Sequence, residues 1–337
     1  MRSWRRAAVG GVAALAFAVG APAAHASGAL PLTDFGGLVV DNVHKRLFVT
    51  GGESNNTVVV TDFSGSVKKT ITNQFGASGM VLSADSSTLY VALASGDAIS
   101  ALDTVTFAEK ARYATGSQTC PTHLTRTDRY VWFGYGCDNV WNGRIGKLDT
   151  GATPPALALD QQGDARFQKA PFVTAAPAGP LLAGQLELSQ SSVHVYTVDA
   201  GALRPGPSGG VAGSNLTDVS LTPDGTTFFT AAGSRDQVDG FATADLSRRG
   251  GYPTGTYPNA VAVSPDGRYL ATGVHTTGDD ITVFKLGTTS PVDSFSFSGT
   301  LTQRSLAWSA DGRKLFAVTH TEPSSAPTLR VVNYPLS

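Results

Sequence analysis

Two histidines stand at the same offset from the same short turn. His275 follows Asp266 by nine residues, and His320 follows Asp311 by nine. Asp218, Asn259 and Arg304 precede the aspartates of their own turns, Asp224, Asp266 and Asp311, by six or seven residues. His123 lies shortly before the related Asp128. Imidazole, guanidinium and carboxylate around one opening are the raw material of acid–base chemistry or of anion binding. His275, His320 and Arg304 are therefore the catalytic candidates, although they complete no known catalytic set. The ligand-contact candidates are His123, Asp218, Asn259, Arg304, His275, His320, Trp141 and Glu187. Glu53, Tyr135, Arg235, Asp236 and Glu322 fall on neighbouring segments. Two imidazoles can share a metal with Asp218, but no ligand spacing in the chain enforces it, so no metal and no cofactor are expected. The His-Glu-x-x-His zinc motif and a phosphate loop are both absent.

These residues matter only if something brings them together, and a recurring segment does. It reads apolar strand, Ser-Pro-Asp-Gly-like turn, apolar strand, Gly-rich turn, apolar strand. Residues 259–286 carry the clearest copy, with the turn Ser264-Pro265-Asp266-Gly267. Anchored at Asp41, Asp85, Asp128, about Ala178, Asp224, Asp266 and Asp311, the spacings are 44, 43, 50, 46, 42 and 45 residues. An apolar trio follows each turn, from Leu47-Phe48-Val49 to Leu315-Phe316-Ala317. Continuous apolar runs of this kind suit strands covered on both faces. Third strands are expected at residues 58–62, 99–103, 145–149, 193–199, 238–245, 281–286 and 329–334, and weaker outer strands at, for example, 67–71 and 292–297. A sheet of this length cannot bury its own faces, so copies must stack. Seven units of four antiparallel strands describe an all-β, seven-bladed β-propeller. The last unit has only three strands of its own, and residues 28–34 are expected to supply the fourth and close the ring.

Pro258-Asn-Ala-Val-Ala-Val-Ser-Pro-Asp-Gly-Arg-Tyr-Leu-Ala and Met80-Val-Leu-Ser-Ala-Asp-Ser-Ser-Thr-Leu-Tyr-Val-Ala resemble the YVTN-type propeller repeat. The resemblance spans nearly the whole chain beyond its first residues. It implies seven blades and often an extracytoplasmic location. Related propellers include lactonase-like and streptogramin lyase-like enzymes, quinoprotein subunits and pure binding proteins, and fold does not choose among them.

In a propeller the innermost strand starts at one rim, here the top, and descends to the Ser-Pro-Asp-Gly turn. The second strand climbs back. This register puts the candidate residues on the top face. It also puts Cys120 and Cys137, the two cysteines of the chain, on adjacent antiparallel strands at the top of unit three, where a disulfide is expected. The aspartates of the turns and Asp62, Asp103, Asp149 and Asp199 read as turn formers. Gly278-Asp279-Asp280 suits a hairpin turn. Asn55-Asn56-Thr57 and Asn215-Leu216-Thr217 match the glycosylation sequon.

The first 26 residues read as a signal peptide. Arg2, Arg5 and Arg6 precede an uncharged apolar run over residues 7–19, and Ala24-His25-Ala26 fits the small-x-small cleavage pattern. Thirteen helical residues span about 20 Å, short of the ~30 Å bilayer core, and no later stretch is long and apolar enough to span a membrane. Residues 27–337 then form one propeller domain. The full chain carries a formal net charge of −1, which offers no electrostatic footprint for nucleic acid. The composite expectation is a secreted, monomeric binding propeller that holds a protein, glycan or small molecule on its top face. The alternative is a lactonase- or lyase-like enzyme acting on a small cyclic ester in the central funnel.

Overall fold

The structure is a computed structural model and describes residues 26–138, 140–276, 280–321 and 325–334. The leader reading, Glu322 and the Gly278-Asp279 pair fall outside these residues. Seven antiparallel sheets follow one another along the chain. Blade one comprises Gly37–Asp41, Arg46–Thr50, Val58–Asp62 and Val67–Ile71. Blade two comprises Ala77–Leu82, Thr88–Leu93, Ala98–Asp103 and Glu109–Ala114. Blade three is His123–Thr127, Tyr130–Tyr135, Arg144–Asp149 and Ala156–Ala158. Phe172–Ala175, Leu181–Gly184, Val193–Asp199 and Ala202–Gly209 make blade four. Leu216–Leu221, Thr227–Ala232, Gln237–Ala242 and Arg248–Pro253 make blade five. Blade six is Pro258–Val263, Tyr269–Val274, Ile281–Lys285 and Pro291–Phe295. No helix among the described residues is long and apolar enough to cross a membrane.

The repeated turn has a reason at the atomic level. In blades two, five, six and seven the first hydroxyl of the turn donates to the aspartate two residues on: Ser83 to Asp85, Thr222 to Asp224, Ser264 to Asp266 and Ser309 to Asp311, at 2.5–2.6 Å. The same hydroxyl accepts the N–H five residues later, at 2.9–3.1 Å. A Ser/Thr-x-Asp triplet thus satisfies the backbone of a tight reversal without help from the next sheet. Asp62, Asp103, Asp149 and Asp245 likewise accept N–H groups two residues on. Asp245 belongs to the turn after Gln237–Ala242 and not to the strand, which ends three residues earlier than the apolar pattern suggests.

The core is distributed between the blades. Seven apolar clusters form, and each joins the facing sides of two neighbouring sheets. Phe48 of blade one packs with Leu89 of blade two, and Trp132 of blade three with Tyr196 of blade four. No blade buries itself, so the ring must close for every face to be covered.

Closure is made by Ala26–Ala29, which pairs antiparallel with Thr328–Asn333 as the outermost strand of blade seven. The strand lies at the start of the expected 28–34 segment and slightly before it. Leu30 and Leu32 are buried instead in the cluster between blades seven and one, beside Phe316, Val318 and Leu47. Their apolar side chains gain more there than they would on an outer strand facing water.

Blade seven also departs from the pattern on its inner side. Its innermost strand is split into Thr300–Leu301 and Ala307–Trp308, both paired with Lys314–His320. Residues 302–306 leave the sheet between the two halves. Thr302 anchors the excursion by donating its N–H and its hydroxyl to Val318 O at 2.9 and 3.0 Å. The Ser305 hydroxyl donates to Thr302 O at 2.8 Å.

Candidate functional site

The excursion of blade seven holds Arg304. Its φ is 57°, a left-handed conformation that a long side chain rarely adopts without compensation. The compensation is visible: Arg304 N donates to Asn259 O at 3.2 Å, and Nη1 donates to Thr217 O of blade five at 3.0 Å and to Gln303 Oε1 at 3.4 Å. The side chain thus reaches across blade six toward the mouth of the central channel.

Three cavities meet at this guanidinium. The channel cavity, about 240 Å³, has Asp218, His123 and Arg304 in its lining, together with residues of the innermost strands such as Met80, Ser220 and Val261. A mouth cavity of about 380 Å³ is lined by His123, Arg304, Lys169, Glu187, Glu53 and Cys137, among others. A side cavity of about 300 Å³ is lined by His275, His320, Arg304, Gln303 and Asp34, among others. Arg304 and His123 therefore form a collar between an open polar mouth and a narrower channel.

Asp218 is 5% exposed. It sits just after a bulge in the innermost strand of blade five, where the register slips between Leu216 and Asp218. Oδ1 accepts Val219 N and Oδ2 accepts Val261 N of blade six, both at 2.8 Å. The carboxyl thus fastens two blades together. Burial pushes its pKa up to about 7, against the pull of the two N–H groups and of Arg304. Burial holds the His123 imidazole neutral well below its ordinary range, with the positive charges of Arg304 and Lys169 acting in the same direction. Its ring stands edge-on to Phe172 of blade four at 5.4 Å. Glu187 is tied to Lys169 at 2.5 Å. Burial tends to raise the Glu187 carboxyl, but the Lys169 ammonium and the Arg304 guanidinium outweigh it and lower the pKa.

The other expected contacts divide. His275 and His320 line the same side cavity, as their matching offsets imply, and His275 Nδ1 lies 3.4 Å from Leu301 O. His275, His320 and Asp218 form no three-residue metal-ligand group. Asn259 occupies the bulge of blade six equivalent to that of blade five, yet its side chain is buried and donates to Leu301 O at 2.8 Å. It latches blade six to blade seven and lines none of these cavities. Trp141 stands 56% exposed on the rim, outside the cavities. Lys169 and Asp34 belong to the site although the repeat pattern does not point to them. Both lie on connecting segments outside the repeat register. Asn55, the first sequon position, is buried and bonded to Gly51 O and Thr33, so a folded chain offers no acceptor amide there.

Cys120 and Cys137 are joined at the top of blade three, with Cα atoms 4.9 Å apart. Asp97 of the blade-two loop accepts the N–H groups of Gln118, Thr119 and Cys120 at 2.8–2.9 Å, so the bridged loop is fastened to its neighbour. Burial works to raise the Asp97 carboxyl, but these N–H groups outweigh it and hold it low. The bridge closes a loop of sequence separation 17, which in the chain-entropy model contributes about 3 kcal/mol. A Cys120→Ser/Cys137→Ser variant is expected to unfold at lower denaturant by that amount. An unchanged urea midpoint would show that the loop is held by Asp97 alone.

No protein-family model matches this sequence, and no curated protein matches it either. The fold has many structural counterparts. A chain in the crystal structure of the mitotic checkpoint complex superposes with a TM-score of 0.72 at 16% identity, covering 96% of this chain and 100% of that one. A chain of Kuenenia stuttgartiensis hydrazine synthase gives 0.69 at 16% identity, with 96% and 100% covered. The Cps50 (Swd1) β-propeller domain of Myceliophteria thermophila gives 0.68 at 13%, with 92% and 100% covered. These likenesses establish the seven-bladed propeller fold and nothing finer.

Proposed function

We propose that this chain is an exported, monomeric binding propeller of the YVTN-repeat type whose top face receives a ligand or partner at the Arg304 collar. The repeats with Ser-Pro-Asp-Gly turns support the family reading. The basic, apolar and small-x-small leader supports export, as does the bridged cysteine pair, since such bridges persist in oxidising compartments. Cleavage after Ala26 leaves Ser27, Gly28 and Ala29 paired to Arg330, Leu329 and Thr328 in the closing strand.

The observation that carries the binding reading is that one residue, Arg304, lines all three cavities. The test is capture from culture supernatant and cell-wall extract, using the tagged chain beside a rim variant carrying His275→Ala, His320→Ala and Glu187→Ala. Enrichment by the wild type and its loss in the variant are expected. Equal capture by both would place binding elsewhere on the molecule.

A second reading, a lactonase- or lyase-like enzyme, draws on the side cavity that His275, His320 and Arg304 line together. In it a histidine moves the proton and Arg304 stabilises developing negative charge. Hydrolase and lyase panels with His275→Ala and His320→Ala separate the two readings. Turnover lost in either variant favours the enzyme.

A further inference from the structure

Resting on the reading of a top-face ligand site, we propose that the collar is a receptor for the carboxylate of a small organic acid whose apolar part descends into the channel.

The guanidinium has capacity to spare. Of the guanidinium nitrogens of Arg304, only Nη1 donates hydrogen bonds to the described residues. Nε and Nη2, which form one edge of the planar group, have no hydrogen-bond partner among them, and none of their carboxylates lies within ion-pair distance of Arg304. A planar two-donor edge matches the geometry of a carboxylate. The guanidinium is half-buried, so an anion reaching its free edge is less screened than on the open surface and gains more from the pairing.

The nearby acids are already engaged. Both oxygens of Asp218 accept backbone N–H groups, and Glu187 is bound by Lys169. Neither is directed at the free edge as a substitute anion. Below the collar the channel, about 240 Å³, has a mixed lining in which Leu38, Phe172 and Leu306 stand beside Ser220 and glycine backbone. A cationic collar over a narrow channel of this kind fits a singly charged head with a small, partly hydrocarbon body. A phosphate dianion would leave that channel unfilled and would meet more repulsion from Asp218 and Glu187.

The pH response follows from the groups that face Arg304, which are Asp218, Glu187, Lys169 and His123, with Glu53 and Asp138 farther round the mouth and His275, His320 and Asp34 in the side cavity. Asp218 changes charge near pH 7. Its ionised form repels an incoming carboxylate and competes for the guanidinium, so affinity declines as pH rises through that value.

The experiment is calorimetric titration of the full chain with acetate, hexanoate, benzoate, benzamide, benzylammonium and inorganic phosphate, at pH about 6 and about 8, on either side of the Asp218 titration. Saturable binding of benzoate or hexanoate at one site per chain is expected, at least about threefold weaker at the higher pH. Arg304→Gln should lose about tenfold or more in affinity, with partial retention in Arg304→Lys. Thermal melts establish that each variant is folded, and the wild-type panel decides the matter if one is not. Absence of binding by all three carboxylates to folded protein would overturn the proposal. Benzamide, benzylammonium or phosphate binding as tightly as benzoate would do the same. Those outcomes concern the ligand class alone, since capture with the rim variant tests the top-face reading separately.

Discussion

A His123→Gln variant is expected to lose stability as pH rises from about 4 to about 7, while an Asp218→Asn variant is expected to gain it as pH rises toward 6.5. The two residues share one cavity and respond to burial in opposite directions. The carboxyl of Asp218 titrates near 7 in the fold, against about 3.9 for an aspartate in an unfolded chain. Between those values the folded state keeps a proton that the unfolded chain releases, so stability falls with rising pH and levels off above 7. A difference of that size between the two states amounts to about 4 kcal/mol over the whole range. His123 is the reverse case. The fold excludes a proton that the unfolded chain takes up below about 6.5, so stability falls as pH drops under that value. His194, whose pKa burial also lowers, adds to this second slope. In the wild type the two slopes oppose each other over the shared window and partly cancel. Each substitution unmasks the other. Asp218→Asn also replaces an acceptor oxygen with an amide donor facing a backbone N–H, so at acid pH it should be less stable than the wild type by about 1–3 kcal/mol, a deficit that vanishes or reverses as pH rises through 7 and the wild-type carboxyl ionises. Thermal melts across pH decide the matter. Parallel profiles in the two variants would mean that neither group is held in the state that its burial implies.

The second large effect concerns ring closure. Leu30→Ala and Leu32→Ala are each expected to cost about 2–5 kcal/mol, the range for truncating a buried leucine. Leu30 is 1% and Leu32 4% exposed, and both lie in the cluster that joins blade seven to blade one. Because they share that cluster, the double variant should depart from the sum of the singles. Hydrogen exchange locates the damage. The amides of Ala26–Ala29 and Thr328–Asn333 should lose protection first, since they form the pairing that closes the ring. Protection lost uniformly, or first in blades three and four, would contradict the closure described here.

The turns and the second strands were legible in the sequence because they obey local chemistry. A Ser/Thr-x-Asp triplet satisfies its own reversal, and a strand covered on both faces must be apolar throughout, as Leu89-Tyr90-Val91 illustrates. His123, Asp218 and Arg304 were legible because each lies a few residues ahead of a turn aspartate, which places them toward the same end of the innermost strands. What lay outside local chemistry was hidden. Asn259 stands one position farther from its turn than Asp218 does, in the bulge itself, and its amide turns to Leu301 O to join two blades. The split of the blade-seven inner strand left no trace, since the run Thr302-Gln303-Arg304-Ser305 is scarcely more polar than Asn215-Leu216-Thr217-Asp218 of blade five, whose inner strand is not split. Lys169 reaches the mouth from a long connection that precedes blade four and keeps no repeat register. Such contacts depend on how loops from separate blades meet, which no single repeat encodes.

A crystal of the protein soaked in benzoate tests the carboxylate collar most directly. The expected result is a carboxylate seated on the Nε–Nη2 edge of Arg304 with its ring in the channel between Met80, Leu124 and Phe172. An Arg304 edge already paired to Asp218 or Glu187, or benzoate bound only outside the collar, would contradict it.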